Sequence, residues 1–285
     1  MLALWSKAIR DARWQLAGSV VLVFAIHWVR VWIASLLPLR QFQRLLNFIP
    51  DTFMPLLPVP KEQIATVTGR IAIAYDDPLA LMVLLAWAIG RGSDAVSGEL
   101  GRGTLEMVLA QPVRRITVIG TQAAVTVLGA ALIAHACWLG DYVGAHTVTL
   151  EEQISIKVFI PAAVNTFSMT FFLAGLATLV SSFDRFRART IGLVAGFFAV
   201  ELLLKLIGLF GQNFKWLLKC TFLTAFEPQV LVADQRLAWA FWVPLGNGQW
   251  AWGGMSYHGV LIGLGALAYA LAFCEFCRRD LPAPL

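Results

Sequence analysis

Charge is scarce in this chain. Asp, Glu, Lys and Arg make up 14% of its 285 residues, against 59% for the hydrophobic types, and the mean hydropathy is +0.72. A soluble domain carries about 25% charged and about 45–50% apolar residues, so the composition points away from a water-soluble globule and toward a multi-pass membrane protein. No Gly-Lys pair occurs anywhere in the chain. Without one, no phosphate-cradling P-loop can be built. His-Glu-x-x-His and Gly-x-Ser-x-Gly are missing too, so the chain is expected not to be an enzyme and to hold no cofactor. Cysteine is sparse, at four residues. Cys137 falls in an apolar run and Cys220 in a loop, while Cys274 and Cys277 form a Cys-x-x-Cys near the end of the last run. A metal site there would want two more ligands nearby, and none is visible. The four are read as packing thiols, with no metal. A net charge of +5 would suggest nucleic acid in a soluble protein. Here it is read as basic loops on one side of a membrane, with no nucleic-acid partner.

What the chain does have is apolar runs long enough to cross a bilayer, which takes about 20 residues as helix. The spans are expected at about 16–37, 78–97, 116–138, 156–180, 191–210 and 255–276, in one transmembrane domain covering 1–285. Residues 1–14 mix Leu2, Trp5, Ile9 and Trp14 with Lys7, Arg10 and Arg13, which suits an interfacial helix against anionic lipid headgroups. Residues 38–77 form an outer segment in which Pro50, Pro55, Pro58 and Pro60 forbid a continuous helix. Span 2 then starts sharply, with Asp77 as cap and Pro78 at the first helical position. Arg91 and Asp94, three apart, can pair near its end. Residues 211–253 form a second outer segment with Trp216, Trp239, Trp242, Trp250 and Trp252, as in an interfacial aromatic belt.

With six spans, both ends fall on one side. That side takes Lys7, Arg10, Arg13, Arg91, Arg102, Arg114, Arg115, Arg185, Arg187, Arg189, Arg278 and Arg279, which is 12 of the 22 basic residues. They sit in short loops and tails, which the positive-inside rule weights most. Both termini and the loop between spans 2 and 3 are therefore placed in the cytoplasm.

Four polar residues fall inside spans: His27, Arg30, Glu201 and Lys205. Such residues are costly against lipid and face the bundle interior, a neighbouring copy or the interface. Arg30 is expected to snorkel outward. His27 reads as a hydrogen bond to a neighbouring helix or as a proton relay. Glu201 and Lys205, four apart, read as an ion pair or as a substrate contact. Of three Gly-x-x-x-Gly pairs, Gly192/Gly196 and Gly259/Gly263 lie on spans 5 and 6 and permit close helix contact, whereas Gly140/Gly144 lies beyond the end of span 3.

The stretch Gly98 to Arg115, GELGRGTLEMVLAQPVRR, is polar and built like a short surface helix. Gly101 and Gly103 break the incoming helix, and Thr104 is a candidate N-cap. Glu106 lies near the positive end of the helix dipole. Leu105, Val108 and Leu109 make one apolar stripe, and Pro112 stops the helix at Gln111.

This stretch resembles the cytoplasmic loop between the second and third transmembrane helices of ABC-2 type transporter permeases. The matching positions are Glu99, Arg102, Gly103, Thr104, Leu105, Glu106, Leu109, Pro112 and Arg115. Lys7 to Trp14 resembles that family's amphipathic N-terminus, Trp216 to Gln229 its segment before the last helix, and Cys277 to Leu285 the tail of some members. The resemblance implies an all-α fold of six transmembrane helices in the plasma membrane, the inner membrane of bacteria. It implies a coupling helix that docks into a separate ABC ATPase, present in two copies and itself binding ATP and Mg. Leu105 and Leu109 would supply the apolar contact; Glu99, Arg102, Glu106 and Arg115 the polar ones; and Thr104 and Pro112 would fix the helix ends. A second permease copy or a paralogue completes the pathway, in contact with membrane lipids, and the cargo is a lipid-like, hydrophobic or polymeric substrate for export. The alternative reading is an ATP-independent secondary transporter or channel using His27, Glu201 and Lys205.

Overall fold

The structure, a computed structural model, describes residues 2–234, 242–244, 250–252 and 256–278. Six helices in it are long and apolar enough to cross a membrane. The first, α1 (Leu2–Leu36), is one unbroken rod of 35 residues, roughly 50 Å long at about 1.5 Å per residue. The expected division between an interfacial helix and a first span is not there. Nothing in residues 10–20 breaks a helix, since its weakest former is the single Gly18, and the first proline is Pro38. A rod longer than the roughly 30 Å hydrocarbon core can keep Lys7, Arg10 and Arg13 beyond the lipid on its first turns.

The segment after α1 folds back over its end through α2 (Leu39–Asn47), a 3-10 turn at Asp51–Leu56, α3 (Lys61–Ala65) and α4 (Val67–Ala72). Leu46, Val59, Ile64 and Ala65 form a small apolar cluster of their own. The buried Arg70 donates to the carbonyl of Ala34 in the last turn of α1 at 3.0 Å, to that of Leu37 just beyond it, and to Glu151 at 3.0 Å. Asp77 caps α5 (Pro78–Ser93) by accepting from the Leu79 N–H at 2.9 Å, with Pro78 behind it.

From α5 the chain passes into a π-helical turn, Asp94–Gly98, then a single turn α6 (Glu99–Gly101) and α7 (Thr104–Leu109). The spans α8 (Arg115–Thr147), α9 (Ile160–Phe183) and α10 (Arg187–Phe210) follow. The second outer segment holds two 3-10 turns, α11 (Pro228–Ala233) and an antiparallel strand pair, β1 (Trp242–Pro244) with β2 (Trp250–Trp252), Trp242 opposite Trp252. This pair, the only one among the described residues, was not expected; Trp and Val favour strands. The last span is α12 (Tyr257–Arg278). Arg236, Trp239, Arg279 and the tail after it lie outside the described residues.

Helix α9 sits at the centre, packed against α5, α8, α10 and α12, while α1 lies along α8. The α1–α8 contact is made close by Gly140 and Gly144. A Cβ at Gly140 would lie 2.7 Å from the Phe24 carbonyl oxygen, and one at Gly144 would lie 2.7 Å from Val31 Cβ. At Gly192, Gly196 and Gly263 a Cβ would meet nothing within 4 Å. Within the chain, then, close contact is made by the glycine pair that sequence left outside the spans, because α8 runs on to Thr147 and the expected span 3 stops short.

Candidate coupling surface and its charge network

The loop between α5 and α8 builds a docking-sized helix from local rules. Gly103, at φ 68°, turns left-handed, a conformation that costs glycine little, and its N–H closes on the Leu100 carbonyl at 3.0 Å. This turn swings the chain back over α6. Thr104 is therefore not the N-cap that sequence suggests. Gly103 takes that position, and the Thr104 hydroxyl donates to the Glu99 carbonyl at 3.1 Å and to the Glu99 carboxylate.

The apolar stripe of α7 faces the chain's own bundle. Leu105 is 1% exposed and packs with Val96, Val118, Ile119, Ala272 and Phe276, and Val108 and Leu109 are partly buried on the same cluster. Leu105 therefore has no surface to offer a partner; periodicity located the stripe but not what it touches. The outward face is Met107, 64% exposed, with Ala110, Gln111 and Pro112, flanked by the exposed Arg102 and Arg114. Glu106 is half-buried, and Arg115 opens α8.

Glu99 also turns inward. It is 3% exposed and holds Lys7 of α1, Arg102 at 3.3 Å and Thr104. Beside it, Asp94 gathers three guanidiniums: Arg91 at 3.6 Å, Arg102 at 2.7 Å and Arg187 at 3.5 Å. The hydrogen bond from Arg102 to Asp94 raises the guanidinium's already high pKa. Arg91 reaches on to Gln122 of α8 at 2.9 Å, and Arg187 to the Gly90 carbonyl at 3.2 Å. One end of the bundle is thus a network joining α1, α5, α7, α8 and α10.

The intramembrane residues fall into separate groups. His27 donates from Nδ1 to Asp141 Oδ1 at 2.9 Å, and the Tyr75 hydroxyl donates to Asp141 Oδ2 at 2.7 Å. His27 and Asp141 are 0% exposed and Tyr75 is 1% exposed. Sequence reasoning missed Asp141 and Tyr75. Asp141 looked like a span end, and only its position on a helix extended to Thr147 brings it level with His27. Arg30 does not simply snorkel; it pairs with Asp77, the cap of α5.

Glu201 and Lys205 do not pair with each other. Glu201 accepts from the Phe222 N–H at 3.2 Å, while Lys205 donates to Glu227 at 2.6 Å and to the Leu223 carbonyl at 3.0 Å. The second outer segment folds against α10 and supplies both with better-placed partners than the i,i+4 geometry offers. Among the described residues no cluster of His, Cys, Asp and Glu could hold a metal ion.

A family model described as "ABC-2 family transporter protein" matches residues 5–281. No curated protein matches the chain.

Proposed function

The chain belongs to the ABC-2 type transporter permeases and is a transmembrane transporter component, and we propose that it is the permease half of an ATP-driven exporter. Two copies of a separate ABC ATPase bind ATP and Mg, close on each other, and push on α7. Two permease copies, identical or paralogous, then change the side to which their shared pathway opens. The observation that carries this reading is the two-faced α7: its inner face is locked to the bundle through Leu105, while Met107, Ala110, Gln111 and Pro112 stand clear on the outer face. A hydrophobic or lipid-like cargo is supported by an apolar groove of about 420 Å³ between α8 and α9, lined by Ala131, His135, Trp138, Ile160 and Phe167 among others. Apolar concavities with a few polar groups are what such ligands fit.

The ion-driven alternative needs His27, Glu201 and Lys205 on one pathway. His27 is tied to α8, and the other two to the second outer segment, which favours the ATP-driven reading. Co-expression with a candidate ABC ATPase from the same organism tests that reading. The complex should survive purification, and Met107→Asp should abolish it while the variant still inserts and melts like the wild type. A Met107→Asp protein that retains its ATPase and full ATP hydrolysis would refute the docking assignment.

Both termini are proposed to be cytoplasmic in a bacterial inner membrane. The exposed Cys220 should then react with an impermeant thiol reagent on intact cells. An Ala188→Cys substitution, with the native cysteines replaced, should react only after permeabilisation. The opposite pattern would reverse the orientation.

A further inference from the structure

The π turn at Asp94–Gly98 is buried throughout. Single π turns inside α-helices are uncommon and recur at functional sites. This one is held by side chains from other helices. Ser181 of α9 accepts from the N–H groups of Val96 at 3.3 Å and Ser97 at 2.8 Å, and donates to the Ser93 carbonyl at 3.0 Å. Backbone groups displaced from the α pattern are thereby satisfied, as buried ones must be. At the head of the turn stands Asp94, with its carboxylate 9% exposed. Its three arginines come from three different places: Arg91 from α5, Arg102 from the turn before α7, and Arg187 from the first residue of α10. Gly98 makes the reach possible, since a Cβ there would lie 2.3 Å from Asp94 Oδ1.

We propose that Asp94 is a positioning residue that ties α7 to α10 through the π turn, so that a push on α7 reaches α10 as well as its neighbours α5 and α8. The inference rests on the docking reading of α7. The contact of α7 with α8 is apolar, through Leu105 on Val118 and Ile119, and owes nothing to Asp94. The charged link from the α7 turn to α10 runs through Arg102, Asp94 and Arg187, beside a hydroxyl contact of Ser97 with Thr190 of α10 at 3.3 Å. One carboxylate therefore controls this link and leaves the apolar contacts of α7 with α8 and α12 intact, and this separates a positioning role from a general contribution to stability.

Two spin-label pairs on the chain alone, in lipid nanodiscs, test this. Met107→Cys with Ala188→Cys reports α7 against α10, and Met107→Cys with Ile116→Cys reports α7 against α8; all three sites are exposed and the native cysteines are replaced. In the parent both distance distributions should be narrow. Asp94→Asn should broaden the α7–α10 distribution and leave the α7–α8 one narrow, and Asp94→Glu should restore the former in part. If Asp94→Asn does not insert, Arg187→Gln cuts the α10 side of the same link and should broaden the same pair. Two unchanged distributions, or two that broaden together, would overturn the proposal. Because no ATPase is present, a failure of the docking reading appears separately, as loss of co-purification with these distances intact.

Discussion

The two polar networks of the bundle differ in what surrounds them. Toward the α7 end, Lys7, Arg91, Arg102 and Arg187 meet Asp94 and Glu99, and the side chains of Arg102 and Arg187 are 45% and 43% exposed. Toward the other end, His27 and Tyr75 share the single carboxylate of Asp141, and all three side chains are buried. An ion pair with one solvated partner is worth little, because water replaces the lost partner. A buried pair that loses one member leaves the other stranded in low dielectric. The first network can therefore exchange partners during movement, whereas the second resists it. The same chemistry serves as a joint at one end and as a clamp at the other.

The largest effect should separate these two. Asp141→Asn removes the one carboxylate paired with His27 among the described residues and should cost about 3 kcal/mol or more, seen as a large fall in the thermal midpoint in detergent. Asp94→Asn should lower the midpoint less, because two of its three arginines can turn to water. Equal losses for the two variants would erase the distinction between joint and clamp.

Little of this contrast could be read along the chain. Asp77 before Pro78 announced a helix start, and the structure has one there. The glycines before Thr104 announced a break, and the chain reverses at Gly103. Such signals are local: one residue and its immediate successors decide the backbone. His27 and Asp141 are separated by 114 positions, and their meeting depends on how far α8 extends and on how closely α1 can approach it. The stripe of Leu105 and Leu109 was legible as apolar, but a 3.6-residue period says only that one face is covered. Whether the cover is a partner or the chain itself is a tertiary fact.

A middle-sized effect tests how α1 reaches the clamp. Gly140→Ala would press a methyl group onto the Phe24 carbonyl and His27 Cβ, at 2.7 and 2.8 Å. Backbone on one side and a packed helix on the other leave little room to relax, so about 1–3 kcal/mol should be lost, as in overpacked cores. Gly192→Ala on α10 meets nothing within 4 Å and should instead gain up to about 1 kcal/mol in helix propensity. The two variants thus carry opposite signs, read as midpoints of the purified chain. A loss at Gly192 comparable to that at Gly140 would mean that the α10 surface is covered by another subunit in the purified state.

The smallest effect concerns the far half of α10, where Lys205 belongs to neither network. Lys205 and Glu227 pair at 2.6 Å with 20% and 19% of their side chains exposed, between the solvated and the stranded cases. A double-mutant cycle of Lys205→Met and Glu227→Gln should give a coupling of about 1 kcal/mol. The cycle of Lys205→Met with Glu201→Gln should be additive within about 0.5 kcal/mol, although the residues are one helical turn apart. The reason lies in the partners. Glu201 is occupied by the Phe222 N–H and Lys205 by Glu227, so removing one leaves the other's main contact in place. Coupling found in the second cycle and absent from the first would detach the second outer segment from α10. Both charges would then have to answer to each other inside the bilayer, and α10 would become a second clamp instead of a helix held from its outer end.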